Sequence, residues 1–593
     1  MFCAFLWPQL AVLALAIASN CSAEPETYRH GRDFVPYATL RVTVKNIQQS
    51  CFLRQSVVIN GTSPGPELRL VEGKTTWIRV YNDMDDRNLT MHWHGLTMDV
   101  SPFSDGTPQA SQWPIPPHHF FDYEIHPKVG HAGTYFYHSH VGFQSVTAVG
   151  PLIVQEGGKA PYEYDEEKYI LMTDAFNKTD KQIESGLTAT PFVWSGESQD
   201  VLVNGQGRML SANCSSSLAT IDVKPDRTYR LRFINAAALS FFVLAIQEHK
   251  GFQIIEADAQ YTKRYKTDFL QMGSGERYSV ILKTKGADEV KRDRKKGITN
   301  YFIQIETRDR PTLTRSYAIL RYIIPRDSTP LPLNPAPPAT PPFPVPATVK
   351  GFLDYDLRPQ RDNDFPTAAQ VTRRVTIKVQ QLLDGTIIWV QNGIPWYEYT
   401  TPTPFLVSLY KGDTSALPDY DRALANNGID PKTRAFPARI GEVLEIVFQN
   451  SGSKAASPGA VDVHPFHAHG AHFYNIGSGP GTYDPAANEK ALKGKQPVKR
   501  DSTMLFRYEN KTEPGGDAGW RAWRLRATQP GAWMIHCHIL QHMIMGMQTI
   551  WVFGNQSDIL TVPRPMIEGY LDYGGDVMGN STHAPRGVKY FKD

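Results

Sequence analysis

The segment His536-Cys537-His538-Ile539-Leu540-Gln541-His542, with Met547 just beyond it, sets a thiolate between two imidazoles and adds a third imidazole and a thioether. In an extended chain, successive side chains point to opposite faces. Cys537 then faces one metal while His536 and His538 face another, with only a few bonds between them. One Cys, two His and a long, weak Met bond make up the ligand set of a blue-copper electron-transfer centre. Taking His464 from far upstream closes that set as His464, Cys537 and His542 with Met547 axial. Such an arrangement is wiring for single electrons passing from one copper site to another.

Three further clusters supply a receiving site: His92-Trp93-His94-Gly95, His138-Ser139-His140 and His464-Pro465-Phe466-His467-Ala468-His469-Gly470. The two imidazoles of each His-x-His lie on one side of a strand. With the pair flanking Cys537 there are eight such imidazoles, more than one metal can take, since copper and zinc sites use about three or four protein ligands. A cluster of three metals fits the count. A single His-x-His reads most simply as a loop histidine pair or a surface zinc site. Four of them, together with Cys537, His542 and Met547, do not.

The motifs, two near the start and two near the end, resemble those of the multicopper oxidases in order and spacing, and the resemblance covers nearly all of the chain. It implies a type 1 copper held by His464, Cys537, His542 and axial Met547. It implies a type 2 copper on His92 and His467, and a coupled type 3 pair on His94, His138, His140, His469, His536 and His538. Four coppers in all would take electrons singly from a small-molecule reductant at type 1 and reduce O2 to water at the trinuclear cluster. The resemblance also implies an all-β fold of three consecutive cupredoxin-like Greek-key β-sandwich domains, with the cluster between the first and third.

The elements that must position these residues are legible in outline. At 593 residues the chain is too long for one core, and its 45 glycines and 44 prolines suit a loop-rich β architecture. Short alternating runs such as Leu40-Arg41-Val42-Thr43-Val44, punctuated by Asn60-Gly61 and Pro64-Gly65-Pro66, predict a first sandwich over residues 28–156. A second set spans 157–324, a proline-dense linker 325–347, a third set 348–556, and a Gly- and Pro-rich tail 557–593. A short helix is expected within Asp413 to Asn427. Residues 1–23 read as a secretory signal: the apolar run is too short for a membrane span, and Cys21-Ser22-Ala23 offers a cleavage site. No later segment predicts a membrane span. The net charge of +3 shows no basic stripe, which excludes a nucleic-acid partner. Secretion agrees with glycan acceptor tripeptides at Asn60, Asn88, Asn177, Asn213, Asn510, Asn555 and Asn580.

Removing the signal leaves Cys51, Cys214 and Cys537. With Cys537 given to copper, a disulfide Cys51–Cys214 between the first two domains is expected, similar to a tie in plant ascorbate oxidases and many laccases. Those proteins have a second bridge whose first-domain cysteine would fall near Trp113, so that bridge is absent here. Asp105, eleven residues after His94, matches an Asp that assists proton delivery in related oxidases; the plainer reading is a turn Asp before Gly106. The carboxylate usual after the Ile of His-Cys-His-Ile is replaced by Leu540, so another acid or water must complete that relay. Asp501 reads as a salt-bridge partner, and His472 falls outside the ligand pattern. Trp194 and Trp389 look like the two tryptophans lining the ascorbate pocket of plant ascorbate oxidases, or else like core residues.

Met547 at the axial place lowers the type 1 potential relative to a non-coordinating residue, which favours electron-rich donors. The stretch Ser104 to Ile125 resembles the fungal ascorbate-oxidase-type branch, whose members include oxidases that couple phenolic polyketides in pigment formation. The expected function is therefore a secreted laccase-like oxidase of phenols or naphthols, serving oxidative coupling in pigment or other secondary metabolism. The alternative is L-ascorbate oxidase. A ferroxidase, or a copper-binding protein without oxygen chemistry, stands behind both.

Overall fold

The computed structural model describes residues 25–210, 214–325, 335–398, 402–455 and 457–591. The expected signal and the acceptor Asn213 lie outside the described residues. Strands dominate, and they form three pairs of stacked antiparallel-rich sheets in chain order. The same two parallel pairings recur in each pair of sheets, as a Greek-key sandwich requires. In the first, Ala38–Gln49 runs parallel to Thr76–Asn82, and Leu68–Val71 to Val149–Gln155. In the second they join Glu166–Ala175 to Thr228–Asn235 and Thr220–Val223 to Arg315–Tyr322. In the third they join Arg373–Asp384 to Val443–Ser451 and Ala435–Ala438 to Gln548–Phe553.

Burial follows the sequence pattern. Arg373–Asp384 alternates buried and exposed residues because one face meets solvent, whereas Val443–Ser451 and Gly531–Cys537 are buried on both faces. A disulfide joins Cys51 to Cys214 and ties the first unit to the second. The described part of the proline-rich segment lies along the middle unit: Gln304 donates to the Phe343 carbonyl and Arg308 to that of Pro346, each at 2.9 Å. Between Asp413 and Asn427 stand a 3-10 turn, Thr414–Ala416, and a short helix, Tyr420–Leu424, each begun by an Asp cap.

The tail does not hang free of the sandwiches. Its strand Arg586–Lys589 pairs antiparallel with Glu26–Arg29, and Met578–Gly579 adds to the edge at Phe120–Ile125. Trp113, at the place of the absent second cysteine, donates its indole N–H to the Leu571 carbonyl at 3.0 Å. Among the described residues, no helix is long and apolar enough to cross a membrane.

Candidate metal centres

Four short strands bring the imidazoles together. Met91–His94 pairs antiparallel with Gly133–Ser139, which sets His92 opposite His138. His464–Ala468 pairs with Gly531–Cys537, which sets His467 opposite His536 and Phe466 opposite Cys537. The alternation expected around Cys537 is present. His536 and His538 face the ends of the first unit, while the Cys537 sulfur turns into the core of the third.

On the sulfur side, Sγ of Cys537 lies 3.8 Å from Nδ1 of His464 and 3.7 Å from Nδ1 of His542, and the two nitrogens are 3.1 Å apart. Met547 is fully buried, and its carbonyl accepts the Cys537 backbone N–H at 3.1 Å. Burial pushes the Cys537 thiol well above its ordinary range, so a thiolate here requires a cation beside it. Burial, then repulsion from His542, holds the His464 imidazole well below its usual value, in the neutral form that ligates metals.

The other side is a buried pocket of eight imidazoles, each at most 3% exposed. In most of them one ring nitrogen is occupied and the other is aimed inward. Nδ1 of His92, His138, His467 and His536 meets the carbonyls of Asp105, Ser139, Asp501 and Cys537 at 2.7, 2.8, 2.9 and 3.0 Å. Their Nε2 atoms are left for the interior, and those of His92, His138 and His467 have no hydrogen-bond partner. His140 has both nitrogens buried and unpartnered. Nε2 of His469 and His536 approach to 3.2 Å, as do Nε2 of His538 and Nδ1 of His94.

Orphaned imidazole nitrogens in a buried pocket are costly unless something fills them. Burial, followed by mutual repulsion, keeps His92, His94, His536 and His538 well below the usual histidine range, and puts His140 at about 3. Neutral rings with converging lone pairs suit soft-to-borderline cations. The ligand atoms form tight triads His92-His467-His469, His92-His94-His138 and His140-His469-His536, beside His464-Cys537-His542. The donor set fits copper in both places.

Acids border the cluster without entering the imidazole pairs. Asp105 accepts from Thr107, and its Oδ2 lies 3.0 Å from Nδ1 of His469; its Oδ1 is buried and unpartnered. Burial raises the Asp105 carboxyl to about 7 against the pull of Thr107. Gly106, at φ +78°, lets the chain press on the Met91 carbonyl where a Cβ would collide, and so holds Asp105 beneath His92. Asp501 does form the expected salt bridge, with Arg277 at 2.5 and 2.7 Å, and its Oδ1 also lies 3.4 Å from Nε2 of His94.

Descriptions of multicopper oxidase families match residues 41–159, 166–323 and 402–557. The chain belongs to the multicopper oxidase family. It is 46% identical over 620 aligned residues to laccase-like multicopper oxidase 1 of Thermothelomyces thermophilus, covering 96% of this chain and 94% of that one. Identity to multicopper oxidase aurL2 of Gibberella zeae is 44%, covering 95% and 96%. To the L-ascorbate oxidase of Cucumis sativus it is 30%, covering 86% and 88%. The solved laccase of Botrytis aclada shares the fold at a TM-score of 0.68 and 24% identity, covering 88% of each chain.

Family membership makes this an O2-dependent oxidoreductase with type 1, type 2 and type 3 copper, and the histidine clusters fit those sites. Of the two tryptophans likened to those of plant ascorbate oxidases, Trp389 is buried, with its ring 4.8 Å from that of His464 and 4.9 Å from that of His542. Trp194 stands further out. Its indole N–H donates to Glu197 at 3.2 Å, and the Arg310 guanidinium sits 5.7 Å from its ring. Arg310 then reaches Asp462 at 3.5 Å, and Asp462 reaches Nε2 of His542 at 3.5 Å. Sequence reasoning missed Asp462 and Arg310. Asp462 had a signal, since it precedes His464 by two and shares its side of the chain. Arg310 had none.

Proposed function

We propose that this oxidase is laccase-like: it takes single electrons from phenols or naphthols and reduces O2 to water. The thiolate site is assigned to His464, Cys537, His542 and Met547, the type 2 copper to His92 and His467, and the type 3 pair to His94, His138, His140, His469, His536 and His538. When bound, copper supplies one-electron acceptance at the first site and the reduction of O2 at the second. The observation carrying this reading is the single strand that hands Cys537 to one pocket and its two neighbours to the other.

The protein's own groups do the rest. The edge of His542 reaches the outside through Asp462, which is 29% exposed, and Trp389 closes the pocket from the core side. A flat aromatic donor fits against such a wall. At the far end Asp105 is suited to hold and pass a proton, since its carboxyl is poised at about 7 with one oxygen unpartnered and the other on His469. Each phenol gives up one electron and one proton, and the radicals couple outside the protein. Pigment or other secondary metabolism is the proposed setting.

L-ascorbate oxidase remains the second reading, favoured by Trp389 against both imidazoles. A ferroxidase is disfavoured because both carboxylates at this edge, Asp462 and Glu197, are tied to Arg310. Secretion is proposed as well, with glycans at Asn177 and Asn510, which lie on the surface. The amides of Asn60, Asn88, Asn555 and Asn580 are engaged in hydrogen bonds within the chain. Oxygen uptake with a naphthol, a simple phenol, ascorbate and Fe(II), with Cys537→Ser as blank, tests the assignment. Faster turnover of ascorbate than of every phenol would replace it with the second reading.

A further inference from the structure

The middle unit contributes no histidine to either centre, yet one of its turns, Gly273 to Arg277, reaches the cluster from behind. Ser274 Oγ accepts the Nδ1–H of His538 at 2.9 Å, which leaves Nε2 of that ring for the interior. Gly275, at φ +88°, is wedged so tightly that a Cβ there would lie 3.0 Å from the His94 ring, 3.0 Å from Ser502 Oγ and 3.3 Å from the His538 ring. Arg277 donates through Nε to the Thr134 carbonyl of the first unit at 3.1 Å and grips Asp501 of the third unit with both terminal nitrogens. Both side chains are fully buried. Asp501 passes the grip on. Its carbonyl accepts from His467 at 2.9 Å, and Ser502, which donates to Asp501 at 2.9 Å, lies 3.1–3.2 Å from ring nitrogens of His467 and His94.

From this geometry we propose that the turn Gly273–Arg277 is a clamp: Arg277 is a positioning residue that orients His94 and His467, and Ser274 orients His538. The inference rests on the assignment of those imidazoles to the trinuclear cluster. A forked guanidinium matches a carboxylate in one geometry only, so the pair fixes direction as well as charge. Three sandwiches meet at one buried arginine, and the ligands of two of them take their orientation from the third. Removing the fork loosens the Asp501 carboxylate and with it the Ser502 hydroxyl that donates to it, the group that touches both His467 and His94.

The test is copper-loaded Arg277→Met, read by copper content, by the electron paramagnetic resonance signal of the type 2 copper, and by the blue absorption of the thiolate site. The expected result is an intact blue band with a broadened or lost type 2 signal, copper content falling from four toward three, and at least tenfold slower O2 uptake. Arg277→Lys keeps the charge and loses the fork, and should show the same altered signal with less loss of melting temperature. Arg524→Met breaks another buried pair, to Glu445 at 2.9 Å, which shares no partner with the clamp; it should lower melting temperature and leave every copper signal unchanged. If Arg277→Met does not fold, Ser274→Ala carries the test and should alter only the near-ultraviolet absorption of the type 3 pair. A wild-type type 2 signal in folded Arg277→Met, or wild-type type 3 absorption in Ser274→Ala, overturns the clamp. A wild-type enzyme lacking any type 2 signal overturns the cluster assignment and the clamp with it.

Discussion

The two centres are joined by one strand but are built in opposite ways. The thiolate pocket draws all four of its groups from the third sandwich and sits in a core cluster beside Phe466, Trp389 and Met543, to which Phe143 of the first unit and Leu239 of the second also belong. The imidazole cluster lies on a seam. His92, His94, His138 and His140 come from one unit, His467, His469, His536 and His538 from another, and the braces Ser274 and Arg277 from the one between. The thiolate pocket is held chiefly by close packing, with one charged chain, Arg310 to Asp462 to His542, at its edge. The seam adds buried forks and shared carbonyls to the apolar packing between units. The thiolate centre thus takes its ligands from one unit, whereas the imidazole cluster takes its ligands and braces from all three.

The sharpest way to break this contrast is to cut the strand that joins the two. Cys537→Ser removes the sulfur and leaves the flanking imidazoles. O2 uptake with any donor should fall to the rate seen without enzyme, and the blue absorption should vanish, while the cluster's own copper signals persist. Loss of those signals as well would mean that the seam leans on the thiolate pocket for its structure. Next in size is Asp105→Asn, which removes an exchangeable proton but keeps the shape. Turnover should fall about 100-fold, the order of a lost general acid, with the blue band unchanged. Solvent isotope effects on kcat should rise in the same variant. An unchanged kcat would confine Asp105 to holding His469.

The same contrast explains what the sequence shows and what it hides. The gathering of the histidine motifs was legible because period-two alternation fixes which face each His occupies, and because the resemblance supplied the pairing of distant motifs. Three sandwiches were legible from short alternating runs and turn residues. Ser274, Gly275 and Arg277 were not, since their partners lie hundreds of residues away and a turn carries no periodicity. The role of Asp501 was read as a salt bridge, which it is, but its second face toward His94 and His467 emerges only once the units meet. The tail's return to Glu26–Arg29 was equally hidden, because pairing at a sheet edge depends on register between the chain's two ends. Trp194 was grouped with Trp389 by likeness, while in the fold Arg310 and Asp462 stand between it and His542.

A seam lined with neutral imidazoles should also be sensitive to acid. His92, His94, His536 and His538 are held well below their usual range by burial, His138 at about 4 and His140 at about 3. The unfolded chain therefore binds more protons than the folded one below about 6.5, the ordinary histidine value, and stability falls as pH drops through that point. Asp105, raised to about 7 from 3.8, acts in the opposite direction over that interval but is one group against six. Melting temperature of the copper-free protein should decline steadily from pH 7 to pH 4, with each unit of depressed pKa costing about 1.4 kcal/mol at the acid end. With copper loaded the decline should begin at lower pH and coincide with metal release. A flat profile for the copper-free protein would mean that the imidazoles are solvated and are not held neutral by burial.

The smallest expected effect lies at the core-side wall of the thiolate pocket. Trp389 is 3% exposed and packs against both imidazoles, so replacing it by Ala would open the core and confuse binding with stability. Trp389→Phe keeps an aromatic wall and trims its area. If a donor ring packs on this indole, the change should raise KM about three- to tenfold for a naphthol, the size of one aromatic contact, and leave kcat within about twofold. A donor held chiefly at Asp462 would show the reverse pattern: Trp389→Phe would be silent and Asp462→Asn would raise KM. Running both variants against a naphthol and ascorbate therefore locates the donor on the apolar or the charged side of His542. Equal, small effects of Trp389→Phe on both donors would deny the indole any part in choosing between them.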